Sequence, residues 1–307
     1  MAFAQGSRSG LSYQEETTFG VAPVTPTLVE LPYVTHSLNL TKERVQGGDI
    51  LPDRMVRHDR HGNSSVAGDI VVELRQGEYD AFLESAFMGA WNTDVLQPGV
   101  TLKSFHVEDS LLDIAQHRLF TGMAVSQASF TIRPNEMVST TFSFVGKGMA
   151  VSGTSFDGTK TASSTNPPFD AYSGALEVGD NGGLLSAVAS ITSIEFSINN
   201  SLSPTFVVGS ATTPQLEYGM AMVEGTITAY VEDATLINRF LNETESAIEV
   251  AVDGPGGTTP YTFLFPRVKF NGADIPVENP QSRIMTIPFV ALYDTSEACN
   301  IRLTRTS

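Results

Sequence analysis

Two stretches of the chain alternate strictly between apolar and polar positions. Leu38 and Leu40 stand among Ser37, Asn39 and Thr41, while Ile194, Phe196 and Ile198 stand among Ser193, Glu195, Ser197 and Asn199. Alternation at period two marks a strand with one buried face. Each stretch leads through a long polar segment to a Val-x-Gly-x-Ile strand. These are Val66-Ala-Gly68-Asp-Ile70 and Val223-Glu-Gly225-Thr-Ile227, at an offset of 157. A short helical stripe follows each, formed by Tyr79, Phe82, Leu83 and Phe87 in one half and by Leu236, Ile237, Phe240 and Leu241 in the other. Further pairs recur at an offset of 145: Phe120 with Phe265, Val125 with Phe270, Phe130 with Ile275, and Phe144 with Phe289. Turn residues separate the last two strands of each half, Arg133-Pro134-Asn135 and Glu278-Asn279-Pro280.

The shared order predicts an all-β protein with one short helix per copy, made of tandem duplicated β-sandwich or barrel domains at 31–150 and 190–307. Two unrelated all-β domains could produce such coincidences too, so common descent stays open at this point. Residues 1–30 read as a polar N-terminal arm lying on another surface. Residues 151–189, rich in Ser, Thr, Gly and Pro, read as a linker or long loop.

Two connections are long, Lys42 to Ser65 and Asn200 to Gly219. Loops of that length are usually functional or disordered. The first carries Lys42, Glu43, Arg44, Asp53, Arg54, Arg57, Asp59 and Arg60. Mixed charge at this density suits a docking surface that pairs with a neighbour, and a simply solvated loop is the alternative.

Composition narrows the function. The chain has 307 residues, 41% of them hydrophobic, which is enough for real cores and excludes wholesale disorder. Acids outnumber bases 34 to 18, a net charge of −16 that argues against non-specific binding to nucleic acid. A single cysteine, Cys299, excludes an intrachain disulfide framework. With no signal-like apolar segment at the N-terminus and no apolar run of membrane-spanning length, a soluble protein made in a cytoplasm is expected, with no membrane partner.

Catalytic motifs are missing. His58 and His61 are flanked by Arg57 and Arg60, a poor setting for a cation. There is no Gly-x-Ser-x-Gly elbow and no His-Glu-x-x-His. Gly182-Gly183 and Gly256-Gly257 lack the Lys-Ser/Thr of a phosphate loop. A pair of carboxylates could be nominated for glycoside hydrolysis, but no motif selects one. The expectation is a non-enzyme with no cofactor and no metal, built for assembly.

The leader Leu11-Ser-Tyr13-Gln-Glu-Glu16-Thr-Thr-Phe19-Gly20-Val-Ala-Pro23 and the stretch from His36 to Asn63 resemble the major tail tube proteins of long-tailed, siphovirus-like bacteriophages. The resemblance implies a β-sandwich or barrel unit with a flanking helix. Such units form rings that stack into a hollow tube for passage of the genomic DNA. It places the protein in the virion tail, and in the host cytoplasm during assembly. Tape measure, tail terminator and distal tail proteins would be its neighbours. A chain with two copies would close a pseudo-sixfold ring as a trimer; if the second copy is a decoration domain, hexamers return. A capsid decoration or receptor-binding protein is the alternative function. A tube wall for sliding DNA should be polar without being basic. Residues facing away from the core on the alternating strands are the lumen candidates: Asn39, Thr41, Asp69, Glu73, Glu195, Ser197 and Asn199. Bulk water is the other environment they could face. The charged loop residues Lys42 to Arg60 are the candidates for inter-ring and inter-subunit contact.

Overall fold

The computed structural model describes residues 3–188, 190–255, 260–277 and 282–306. The first half runs through β1 (Ser9–Glu15), β2 (Val29–Leu31), β3 (Thr35–His36), β4 (Asn39–Gln46), β5 (Asp59–Glu73), helix α1 (Asp80–Phe87), β6 (Val95–Leu96), β7 (Phe105–Leu111), β8 (Gln116–Ile132), β9 (Ser139–Gly146) and β10 (Gly148–Ser152). The second half runs through β11 (Asp170–Asp180), β12 (Leu185–Ala187), β13 (Ile191–Asn199), β14 (Ser203–Pro204), β15 (Leu216–Glu217), β16 (Met222–Tyr230), helix α2 (Thr235–Leu241), β17 (Ser246–Asp253), β18 (Tyr261–Phe270), β19 (Ile284–Ala291) and β20 (Arg302–Arg305). The fold is all-β, with two short α-helices among the described residues.

Each half is a sandwich of two antiparallel sheets. In the first, the inner sheet has the order β4-β5-β9-β8 and the outer sheet β2-β1-β7-β8-β10. Strand β8 serves both. Gly122 lies near the point where it leaves one sheet for the other, with a φ of +66° that favours glycine. In the second half the inner order is β13-β16-β19-β18 and the outer order β12-β11-β17-β18-β20.

The registers agree as well as the orders. Gly68 faces Phe144 and Val125 faces Phe144 from the other side; Gly225 faces Phe289, and Phe270 faces Phe289. Gly68 is required by its neighbours. A Cβ there would meet the Ser37 carbonyl oxygen at 2.6 Å and the Leu38 Cα at 2.7 Å, and its φ is +151°. At Gly225 a Cβ would lie 2.7 Å from the Glu195 carbonyl oxygen. Both glycines let the preceding strand cross close by.

One core runs through both halves. Phe82 of α1 packs on Tyr13, Phe105, Phe142 and Phe144, with ring centroids 4.6–5.6 Å apart. Helix α1 ends at Met88, whose left-handed φ of 49° closes it. The second helical stripe is shallower than its sequence suggests: Leu236 alone is fully buried in α2, and Leu241 is 66% exposed.

Two segments carry more structure than expected. The leader includes β1, which pairs with β7 and β2 and buries Leu11 and Ser12. The stretch 151–189, expected as a linker, includes β11, paired with β17, and buries Val178. Both strands hold corresponding places in their outer sheets. Each offers only two or three apolar positions to the core, too few to stand out as a period. The turn Glu278-Asn279-Pro280 and the glycines Gly256-Gly257 lie outside the described residues.

Candidate functional site

The two inner sheets are joined. The C-terminal half of β8 pairs with β13, Ile132 facing Ile194 and Gln127 facing Asn199. The result is a continuous run of strands β4-β5-β9-β8-β13-β16-β19, with β18 beyond. Where these strands pair across the run, alternation sends one set of side chains to the core and the other to the opposite face. The seam is aromatic on its core side, where Phe130 stacks on Phe196 at 4.8 Å.

All seven lumen candidates fall on the opposite face of this run. Asn39, Thr41, Asp69 and Glu195 are exposed, while Glu73, Ser197 and Asn199 are half-buried. Cross-strand neighbours extend the set along rows that sequence periodicity alone could not assemble. One row reads Glu73, Ser139, Thr131, Glu195, Thr226; the next reads Thr141, Ser129, Ser197, Glu224. Hydroxyls, amides and carboxylates dominate, tied by local bonds such as Gln127 Nε2 to Ser129 Oγ at 3.1 Å. Arg133 caps one row, its Nε donating to Glu195 Oε1 at 3.1 Å, and that carboxylate raises the Arg133 pKa. A carboxylate-rich wall of this kind attracts no phosphate backbone, and solution salt screens its repulsion beyond about 8 Å.

The segment Lys42 to Ser65, expected as a loop, is largely a β-hairpin. Strands β4 and β5 continue pairing out to Gln46 opposite Asp59, leaving 47–58 as the connection. Lys42, Glu43 and Arg44 lie on β4, Asp59 and Arg60 on β5, and Asp53, Arg54 and Arg57 in the connection; all eight are exposed. Arg44 pairs with Asp59 at 2.8 Å, and Arg57 pairs with Asp53. Apolar Ile50, Met55 and Val56 are also exposed on this arm, at 98%, 71% and 57%. The counterpart Asn200 to Gly219 instead folds back as β14–β15. It packs on the root of the arm, where the Ser64 amide donates to the Ala211 carbonyl at 2.8 Å.

A buried charge cluster went unnoticed in the sequence. Glu108 on β7 is fully buried. It accepts from Lys160 Nζ at 2.7 Å, the Phe156 amide at 2.7 Å, and the Ser155 and Ser110 hydroxyls at 2.8 Å. Burial by itself would raise its pKa, but these donors outweigh it and hold the carboxyl at about 2. His106, its ring tilted against Phe156 at 4.4 Å, and His36 are both pushed below the ordinary imidazole value by burial, against the pull of Glu108 and Asp109 respectively. The cluster pins the segment 153–163 across the outer sheet.

These groups set an acid limit. The histidines have folded pKa values below 6.5, so they oppose the fold as pH drops through 6.5. Glu108 contributes in full above 4.5, and that contribution is lost as pH falls towards 2. Urea midpoints should therefore decline between pH 7.5 and 5.5 and fall faster below 4.5. A midpoint that rises on acidification to pH 5.5 would contradict this assignment.

Among the described residues, no group of three or more His, Cys, Asp or Glu is placed to hold a metal ion, and no helix is long and apolar enough to cross a membrane. His58 and His61 are exposed on the arm, and Cys299 is buried, with its thiol pKa raised by burial. No curated protein matches the chain. A family model described as phage tail tube protein matches residues 6–291.

Proposed function

This chain belongs to the phage tail tube protein family, a structural family of the virion tail, and on that footing we propose that it closes edge to edge into a ring bored for DNA. One observation carries the proposal. The polar-faced strand run crosses from the first half to the second through the β8–β13 seam, and the same seam is available again at its two ends. Among the described residues, β4 pairs only with β5, and the chain beyond Phe270 pairs only on its β19 side, where Asp274 faces Thr286. Unpaired edges seek partners.

The seam fixes the expected register. Residue His36 corresponds to Ile194, Asn39 to Ser197, Asp274 to Ser129 and Val277 to Ile132. Transferred between neighbouring chains, Asn39 faces Asp274 and Leu38 faces Ile275. We read the two halves as duplicated tube domains of one chain, with their first strands β1 and β11 included. Three chains then supply six copies. One chain's eight inner strands would enclose only a side-chain-filled barrel. At about 4.8 Å per strand, twenty-four strands span about 37 Å between backbones before tilt widens them. That admits a duplex, which is about 20 Å across with its two deep grooves. The arm of residues 42–65, with its exposed charges and apolar tip, is placed for contact between stacked rings. A long, non-contractile tail, with tape measure, terminator and distal tail proteins as neighbours, fits this reading; assembly would occur in the host cytoplasm.

Paired cysteines test the register. In a Cys299→Ala background, Asn39→Cys with Asp274→Cys should give covalent trimers and their precursors with a short thiol cross-linker. Ser129→Cys with Ser197→Cys should cross-link within one chain. A cross-linked control beside an uncross-linked, monomeric 39/274 pair would dismiss the ring.

A further inference from the structure

The β8–β9 turn of the first half does more than continue a strand. Ile132, Arg133, Pro134 and Asn135 form one wall of a cavity of about 370 Å³ in the second half. The opposing walls include Ala175 and Leu176 of β11, Val188, Ile191 and Ala251. Ile132 is packed against the core there.

The first half has the same cavity without that wall. Gly10, Leu11, Leu31, Tyr33 and Ser110 occupy the places of Ala175, Leu176, Val188, Ile191 and Ala251. This follows from the pairs Leu11 with Leu31 and Gly10 with Ser110, matched by Val188 bonded to Leu176 and Ala175 opposite Ala251, and from Thr35 opposite Val71, matched by Ser193 opposite Thr228, two residues beyond Tyr33 and Ile191. These five residues line a cavity of about 690 Å³. Leu112, at its edge, is 54% exposed. The counterpart of Ile132 is Val277. It stands 74% exposed, past the end of β18 at Phe270. An apolar residue in water and an open cavity with Leu11, Leu31 and Tyr33 along one side are thus the two halves of one contact already made once inside the chain.

We propose that this cavity of the first half is a socket for Val277 from a second copy of the chain. The proposal rests on the ring reading and deepens it by naming the residue that locks each junction. Strand pairing alone supplies backbone hydrogen bonds, which any extended edge could satisfy. An apolar key entering between Leu31 and Tyr33 adds position along the edge, because a slip of one residue would turn Val277 to the other face. The surroundings differ between the two sites, the open socket being lined also by Glu30, His117 and Asp157. The open socket has Lys160 and Ser155 of the pinned 153–163 segment on its far wall, so the Glu108 cluster shapes the site that a neighbour enters.

The test places Val277→Asp and Val277→Ile in the full chain, each with the Asn39→Cys/Asp274→Cys pair on the Cys299→Ala background. Val277→Asp should cut the yield of cross-linked trimer at least tenfold while leaving the urea midpoint of the protomer unchanged, since the side chain is exposed there. Val277→Ile, which copies the residue at position 132, should assemble like the parent. In addition, Val277→Cys should label with a maleimide at least tenfold more slowly in assembled rings than in protomers. Normal assembly of Val277→Asp, or equal labelling in both forms, overturns the socket while the parent's cross-linking keeps the ring. A parent pair that never cross-links overturns both.

Discussion

Glu108→Ala is expected to lower the unfolding free energy by about 3 kcal/mol, the low end of the range for breaking a buried ion pair. The low end applies because Lys160 keeps 19% of its side chain in water and can be partly rehydrated. The loss is still large. The Phe156 amide, two hydroxyls and an ammonium all aim at the missing carboxylate, and each unpaired buried donor carries its own desolvation cost. The readout is the urea midpoint at pH 7.5, with Glu108→Gln retaining part of the difference. Because three of these donors, Ser155, Phe156 and Lys160, come from the 153–163 segment, protease cleavage there should accelerate in the alanine variant. A variant with unchanged midpoint and unchanged cleavage would remove the cluster from the account of the fold.

Phe196→Ala is expected to cost about 4 kcal/mol, within the range for truncating a buried aromatic. Phe196 stacks on Phe130 across the seam and also touches Phe263 and Phe265, at 5.1 and 5.0 Å. Aromatic pairs of this geometry add to simple burial. The shape of the transition is as informative as its midpoint. One core passes through both halves, so the variant should unfold in a single transition displaced as a whole. A biphasic curve with one phase in its original place would show that the halves melt independently.

What the sequence revealed depended on burial. The paired offsets were legible because Leu38, Gly68 and Phe144, and likewise Phe196, Gly225 and Phe289, are held by packing against one another; the corresponding positions share a register in space. The arm was hidden for the opposite reason. From Thr41 to Gln46 every β4 residue is exposed, and a strand wet on both faces has no period to read. Strand β11 was masked by a bulge between Asp170 and Ala175, which breaks the alternation that Leu176 and Val178 would otherwise extend. The Glu108 cluster was unreadable because its partners Ser155, Phe156 and Lys160 lie 47–52 residues away, joined only when the segment 153–163 crosses the sheet. The lumen candidates were found strand by strand, but their arrangement in rows required the cross-strand registers.

The arm of residues 42–65 has no twin, since its counterpart in the second half folds back as β14–β15. A trimer would therefore carry three outriggers at 120° intervals although its bore repeats every 60°. Stacked layers would then have a defined rotational phase: a layer mis-seated by 60° would find its inner wall matched but its outriggers over the wrong subunit half. Torsional indexing of the filament, and the threefold count of sites along its outside, would follow from that one unpaired appendage.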